Sequence, residues 1–288
     1  MDWFERLTGF RESDYATTKA RLEVVNGTLR SRVNGRAYGV GELELVSLAT
    51  LRQRAMAAMN PPERSTFSIL RGDARAMHHA PEHAGALFQV ASQFNLLEMT
   101  SPTVTPENGV TRYQNDPTQG PACAIAAGAA TIYRNYFATV DGHERQTRKR
   151  QLDGLALVGA CLCKAVGKLQ PALWDMRNGY AMCTREGLAL IAEHLATLDA
   201  NQKDDLRGLL CIGIHSNVQV TDLPAESTGY VSQAFCSALP VAYAEHQNQR
   251  APWAPFATLI LEAAYEATLW AAVLNARRTG SRIVLLTR

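Results

Sequence analysis

Between residues 93 and 121 the chain gathers side chains that can move protons and backbone that can hold an anion. Gln93, Asn95 and Glu98 follow a short apolar run, Glu107 sits between Pro106 and Asn108-Gly109, and Asp116 stands within the stretch Gln114 to Gly120. Three carboxylates in one connection suit general acid–base work, in which a positioned group contributes about 10² to 10⁴ in rate. A long connection inside a compact domain is more often functional than idle. Directly after it, Gly120 permits close backbone approach, Pro121 suits a first helical position, and Ala122 to Ala130 is almost wholly small residues. The opening amides of such a helix face an anion at short range. Each feature also has a plainer reading. Asp116 before Pro117 can be a turn initiator, Glu107 a solvated turn residue, Asn95 a loop amide serving backbone, and the helix a capped core helix.

A fourth carboxylate, Asp73, follows Gly72 just after an apolar run and reads either as a ligand contact or as a turn or helix-cap aspartate. Cys123 falls in the first turn of the small-residue helix, where a thiol pKa can drop, but no histidine is near it in sequence and packing accounts for it better. His215 follows a strand-like run and reads as a core or loop histidine more readily than as a site residue. No Cys-x-x-Cys spacing is present, and neither a metal nor a cofactor is expected.

The elements that must position these residues alternate along the chain. Two Asn-Gly pairs, Asn26-Gly27 and Asn34-Gly35, join short alternating segments and predict an antiparallel β meander. Apolar residues at helical spacing predict a helix over Val46 to Met59, closed by Pro61-Pro62. Thr66 to Leu70 and Ala86 to Ala91 have the length of buried strands. Helical patterns follow over Pro121 to Phe137 and Arg150 to Val166, then a strand at Tyr180 to Cys183 and a helix from Arg185 to Leu198. Leu209 to Ile214 reads as a central strand, Tyr230 to Leu239 as a short helix, Pro255 to Arg278 as a long helix stopped by Gly280, and Arg282 to Leu286 as a last strand. Strands alternating with helices predict an α/β fold, a mixed sheet between helices with the meander at its N-terminus. The whole chain, 1–288, reads as one domain, with 1–60 a meander-plus-helix extension and 61–288 the ligand-binding core.

Bulk properties exclude several classes. With 47% hydrophobic and 19% charged residues the composition is that of a globular protein. A net charge of +2 gives no long-range field to draw it onto a polyanion, so bulk nucleic-acid binding is not expected. The basic stretch Arg145 to Arg150 lacks interleaved aromatics and reads as a solvated helix entrance. The six cysteines lie scattered through apolar runs and read as reduced core residues. No signal-peptide core opens the sequence, and the apolar runs are broken by Glu262, Glu266 or glycine, so no membrane is expected. A cytoplasm, or a host cytosol for a delivered protein, fits best.

In their order along the chain these residues resemble the macrodomains, which bind ADP-ribose. Gly72-Asp73, the strand Ala86 to Ser92 with Asn95 after it, and the turn and helix from Gly120-Pro121 to Gly128 occupy the places of the family's Gly-Asp pair, Asn-containing loop and Gly-rich turn. The stretch Phe88 to Glu98 and on through Asn115 to Pro121 is similar to the divergent macrodomains that remove ADP-ribose from arginine side chains, including those that pathogens use on ubiquitin. The similarity is dense over roughly 66–137 and topological elsewhere. It implies that Asp73 accepts from the adenine amino group, that Asn95 lies near the distal ribose, and that Gln119, Gly120, Pro121 and Ala122 cradle phosphate. The family pattern continues with a second Gly-rich phosphate loop after the last strand, where this sequence stops at Arg288.

The resemblance implies an ADP-ribosylhydrolase. Breaking an arginine N-glycosidic bond needs a carboxylate at the guanidinium leaving group and one to activate water at ribose C1. Asp116 is the expected principal acid/base, with Glu107 and Glu98 orienting ribose, water or guanidinium. The partners are then ADP-ribose and an ADP-ribosylated protein, ubiquitin among the possibilities. A reader that binds ADP-ribose without cleaving it, or an enzyme of a free nucleotide metabolite, would carry the same fold.

Overall fold

The structure, a computed structural model, describes residues 1–58, 64–222, 229–243 and 251–287. Two short helices, α1 (Trp3–Thr8) and α2 (Tyr15–Ala20), open the chain, each started by an aspartate that accepts from a first-turn amide. The predicted meander follows as β1 (Leu22–Val25), β2 (Thr28–Ser31) and β3 (Ala37–Gly39), paired antiparallel in that order. At the first turn Asn26 and Gly27 both hold positive φ, 50° and 71°, which matches the twist of the flanking strands. Next come β4 (Glu42–Ser47) and α3 (Leu48–Ala58), the latter starting two residues beyond the predicted helix. Met59, Pro61 and Pro62 lie outside the described residues.

The core continues with α4 (Ala74–His79), β5 (Leu87–Ser92), α5 (Gln119–Ala126) and α6 (Gly128–Tyr136). A small ribbon, β6 (Thr139–Val140) with β7 (His143–Glu144), leads to α7 (Ala156–Val166) and α8 (Gln170–Leu173). A hairpin, β8 (Trp174–Arg177) with β9 (Tyr180–Cys183), precedes α9 (Arg185–Thr197) and α10 (Ala200–Gly208). The chain then runs through β10 (Cys211–Val220), β11 (Gly229–Ser237), α11 (Ala254–Thr279) and β12 (Val284–Leu285).

Five strands form one mixed sheet in the order β12-β5-β11-β10-β4. The first three are parallel, and β10 is antiparallel to both its neighbours. Side chains alternate across it. Leu87, Ala234 and Ile212 point into the core formed with α7, α9 and α11, whereas Phe88, Phe235 and Val218 point to the side of α5 and α6. Helices therefore cover both faces, and the fold is α/β as predicted. Of the described helices, α11 is long and apolar enough to cross a membrane by length and composition, and it packs Phe256, Ile260, Ala263 and Ala267 into this core.

Four expectations are corrected. Thr66 to Leu70 forms no strand: Phe67 and Ile69 are more than 80% exposed, because the two positions beside β5 belong to β11 and β12. Tyr230 to Leu239 is the central strand β11 and not a helix. The single helix over Pro121 to Phe137 is two, broken at Ala127 (φ −108°, ψ 54°), where Thr221 Oγ1 accepts from Gly128 N. The helix predicted from Arg150 starts only at Ala156, since Thr147 and Arg150 pair in a tight bridge.

Candidate functional site

The carboxyl end of β5 and the start of α5 meet edge to end. β12 pairs with β5 only at Leu87 and Phe88, so beyond them the edge of β5 is open. The Gln119 side chain closes it, Oε1 accepting from Ala91 N at 2.9 Å and Nε2 donating to Gln89 O at 2.8 Å. Gly120 comes so close that a Cβ there would fall inside the Ala91 carbonyl oxygen. The close backbone approach predicted for Gly120 is therefore made against the protein's own strand. Thr118, the residue before α5, makes no side-chain cap to the helix. By position only the Gln119 and Gly120 amides lack an intrahelical partner, since Pro121 has no N–H and Ala122 N already donates to Thr118 O at 3.3 Å.

These elements enclose a hollow of about 160 Å³. Its walls are Ala91, Ser92 and Gln93 at the end of β5, Glu98 to Thr100, the turn Asp116 and Thr118 with Gly120 and Pro121, and the rings of Tyr180 and Tyr243. Those two rings meet edge to face at 5.2 Å. Ligand pockets usually run about 300–1,000 Å³, so this one takes a single unit of a nucleotide and not the whole of it.

Two carboxylates line the hollow, in different settings. Asp116 is half-buried, and its Oδ1 accepts from both Thr118 N (2.9 Å) and Thr118 Oγ1 (2.6 Å). It is thus the turn initiator and a wall of the hollow at once. Glu98 is 2% exposed; its Oε1 lies 3.5 Å from Arg134 Nη2, and its Oε2 has no hydrogen-bond partner among the described residues. Burial pushes this carboxyl up, to about 7, against the pull of the Arg134 guanidinium. A carboxyl held between its two forms near neutral pH, with one oxygen uncommitted, is equipped to give and take a proton.

The other predicted residues are elsewhere. Asp73 is the exposed cap of α4, Oδ1 accepting from Ala76 N at 2.9 Å, and it does not line the hollow with Asp116. Asn95 is fully buried in the turn after β5, where Oδ1 accepts from Leu97 N and Nδ2 donates to Gln151 Oε1. Its amide is spent on that turn. Glu107 takes Arg148 N on both oxygens, at 2.9 and 3.0 Å, and so pins the loop 145–150 away from the hollow. Cys123 is buried, and burial raises its thiol pKa. His215 is buried against Arg134, which together with burial holds its ring neutral. No cluster of metal-binding side chains occurs among the described residues.

Arg134, Thr118, Tyr180 and Tyr243 were not singled out by the sequence. For Arg134 a signal existed: it lies four and seven residues after Ala130 and Ala127, on the face that a small-residue helix buries. A larger cleft, about 660 Å³, opens between α9, α10 and α11. Its walls are mostly aliphatic, and of its charges Lys203, Arg207 and Glu262 the last two pair with each other at 3.0 Å. No protein-family model matches the chain, and no curated protein or solved structure matches it significantly.

Proposed function

We propose that this chain is an ADP-ribosylhydrolase that releases ADP-ribose from modified protein side chains, arginine foremost. The supporting observation is the pairing of Glu98, buried and with a free oxygen, with Asp116 in one hollow at the opening of α5. The size of the hollow suits the ribose that carries the scissile bond, with the diphosphate at the Gln119 and Gly120 amides and the rest of the nucleotide outside it. In this reading Glu98 engages the guanidinium and passes it a proton as the C1–N bond breaks. Asp116, its Oδ1 fixed by Thr118, takes a proton from the water that forms the new C1–O bond. Of the three carboxylates expected to act, Glu107 drops out as a loop anchor. A cytoplasm or a host cytosol, where such modified proteins occur, is part of the same reading.

The test is release of ADP-ribose from arginine-, glutamate- and serine-modified proteins by the full chain. Arginine-linked substrate should be cleaved, and Glu98→Gln and Asp116→Asn should each lose about 10² or more in rate while still binding ADP-ribose. Binding without release from any substrate would leave a reader. Failure to bind ADP-ribose would sink both.

A further inference from the structure

Beneath Glu98 lies a cation with no access to solvent. Arg134, on α6, is 0% exposed, and every nitrogen of its fork is engaged. Nε donates to Leu96 O at 3.1 Å, Nη2 to Thr131 Oγ1 at 3.0 Å, and Nη1 lies 3.3 Å from His215 Nδ1. The guanidinium carbon stands 4.0 Å from the centre of the Phe235 ring, on its face. A charge so deeply buried is costly unless it is paired, and replacing such pairs by apolar side chains often stabilises a protein. Among the described residues its one carboxylate partner is Glu98, at 3.5 Å, too long for a strong hydrogen bond. An arginine used only to fill the core would not need this placement.

We propose that Arg134 is a positioning residue for Glu98, clamped by Leu96, Thr131 and the Phe235 face so that its charge stands at a fixed distance under the carboxyl and keeps it able to ionise inside the protein. The other groups that face Glu98 do not supply that charge. Tyr113, before α5, and Cys123, on α5, are buried with their pKa values raised by burial, and hence neutral. Tyr180, on β9, is likewise raised, His215 on β10 is neutral behind Arg134, and Asp116 across the hollow is of the same sign as Glu98. Removing the guanidinium therefore leaves burial unopposed, and the carboxyl should be harder to ionise.

What this does for a reaction rests on the hydrolase reading, but the titration of Glu98 does not. The carboxyl is followed by ¹³C NMR of glutamate-labelled full-length protein, with Glu98→Gln identifying the signal. In Arg134→Met the midpoint should rise by a pH unit or more, a tenfold change in the ionisation constant. In Arg134→Lys, whose ammonium keeps the charge but loses the fork, it should rise by less. Arg134→Gln, equally neutral but still able to donate to the Leu96 carbonyl, carries the test if the methionine variant does not fold. An unmoved midpoint in whichever neutral variant folds overturns the proposal and reduces Arg134 to core packing. In the release assay the alkaline limb of the pH–rate profile should move up with the midpoint. A moved midpoint in a protein that releases nothing at any pH would sink the hydrolase reading and leave the role of Arg134 standing.

Discussion

His78 shows how one side chain couples the fold to pH. It is 3% exposed, stacks on Phe88 at 3.8 Å, and places Nδ1 2.7 Å from Ala74 O and Nε2 3.2 Å from Gln233 Nε2. Those bonds suit the neutral ring, donating from Nδ1 and accepting at Nε2, and burial lowers the pKa from 6.5 to about 4. A histidine with a depressed folded pKa stabilises above its unfolded value, and that stability is lost as pH falls from 6.5 toward 4. The gap corresponds to about 3 kcal/mol. Glu98 has the opposite sign: its raised pKa favours the fold below about 4.5 and costs stability as pH rises through about 7. Comparing variants separates the two. In denaturant titrations His78→Gln leaves the Glu98 contribution unopposed, so stability should rise relative to wild type as pH falls from 6.5 to 4.5, and a slope equal to that of the wild type would show that His78 titrates normally. Gly120→Ala should cost about 1–3 kcal/mol at any pH, since its Cβ meets the Ala91 carbonyl and that backbone cannot yield. At this scale the sequence displays which residues can do chemistry and hides what they face. Glu98 and Asp116 were both visible as carboxylates in one connection. That Asn95 spends its amide on Leu97 and Gln151, or Glu107 on Arg148, depends on segments up to 56 residues away in the chain.

At the scale of elements, the start of α5 is docked to the edge of β5 by an amide side chain that stands in for a strand. Gln119 bonds Gln89 O and Ala91 N where β12 has ended, and so fixes the helix start that opens onto the hollow. Gln119→Ala removes both bonds, one of them at exposed Ala91 where water can replace it, and should cost about 1–2 kcal/mol. Amide exchange at Ala91 should quicken in the same variant, and continued protection there would mean that another group closes the edge. Elements were legible where a local rule decides them. The Asn26-Gly27 turn and the stop of α11 at Gly280, φ 79°, stand as predicted. The same Asn-Gly signal at Asn178-Gly179, φ 48° and 80°, also marks the hairpin of β8 and β9. Elements decided by tertiary contacts were not legible. β11 carries Ser232 and Gln233 among apolar residues and lacks strand alternation because both its faces are buried; Arg278 donates to Ser232 Oγ, and Cys123 O accepts from Gln233 Nε2, each from another element. Thr66 to Leu70 has the alternation of a strand but no neighbour to pair with.

At the scale of the molecule, the N-terminal extension is joined to the candidate site through one carboxylate. Trp3, Phe4, Leu7, Phe10 and Tyr15 pack with Val110, Tyr113, Ile132 and Tyr136 in a single apolar cluster, which ties α1 and α2 to α6 and to the turn before α5. Within it Glu12 takes Val110 N at 2.9 Å, Thr111 N at 2.7 Å and the Tyr136 hydroxyl at 2.7 Å. Gly109 lacks a side chain where a Cβ would enter that carboxylate. Trp3 Nε1 adds a bond to Thr111 O at 3.2 Å. The 3₁₀ turn so anchored, Thr111–Asn115, leads directly into Asp116 and places Tyr113 under Glu98. The extension is therefore a brace for the loop that carries one wall of the hollow. Glu12→Ala strips the acceptor from two amides and a buried hydroxyl, and should cost about 2–4 kcal/mol, with Glu12→Gln recovering part of it. Hydrogen exchange should quicken over residues 110–116 before the sheet is affected, because the strands of the core do not depend on that carboxylate. Under the proposed function, release of ADP-ribose should fall in step with the loosened loop. A Glu12→Ala protein with wild-type melting and wild-type exchange over 110–116 would mean that the aromatic cluster alone holds the loop and that Glu12 is dispensable to it.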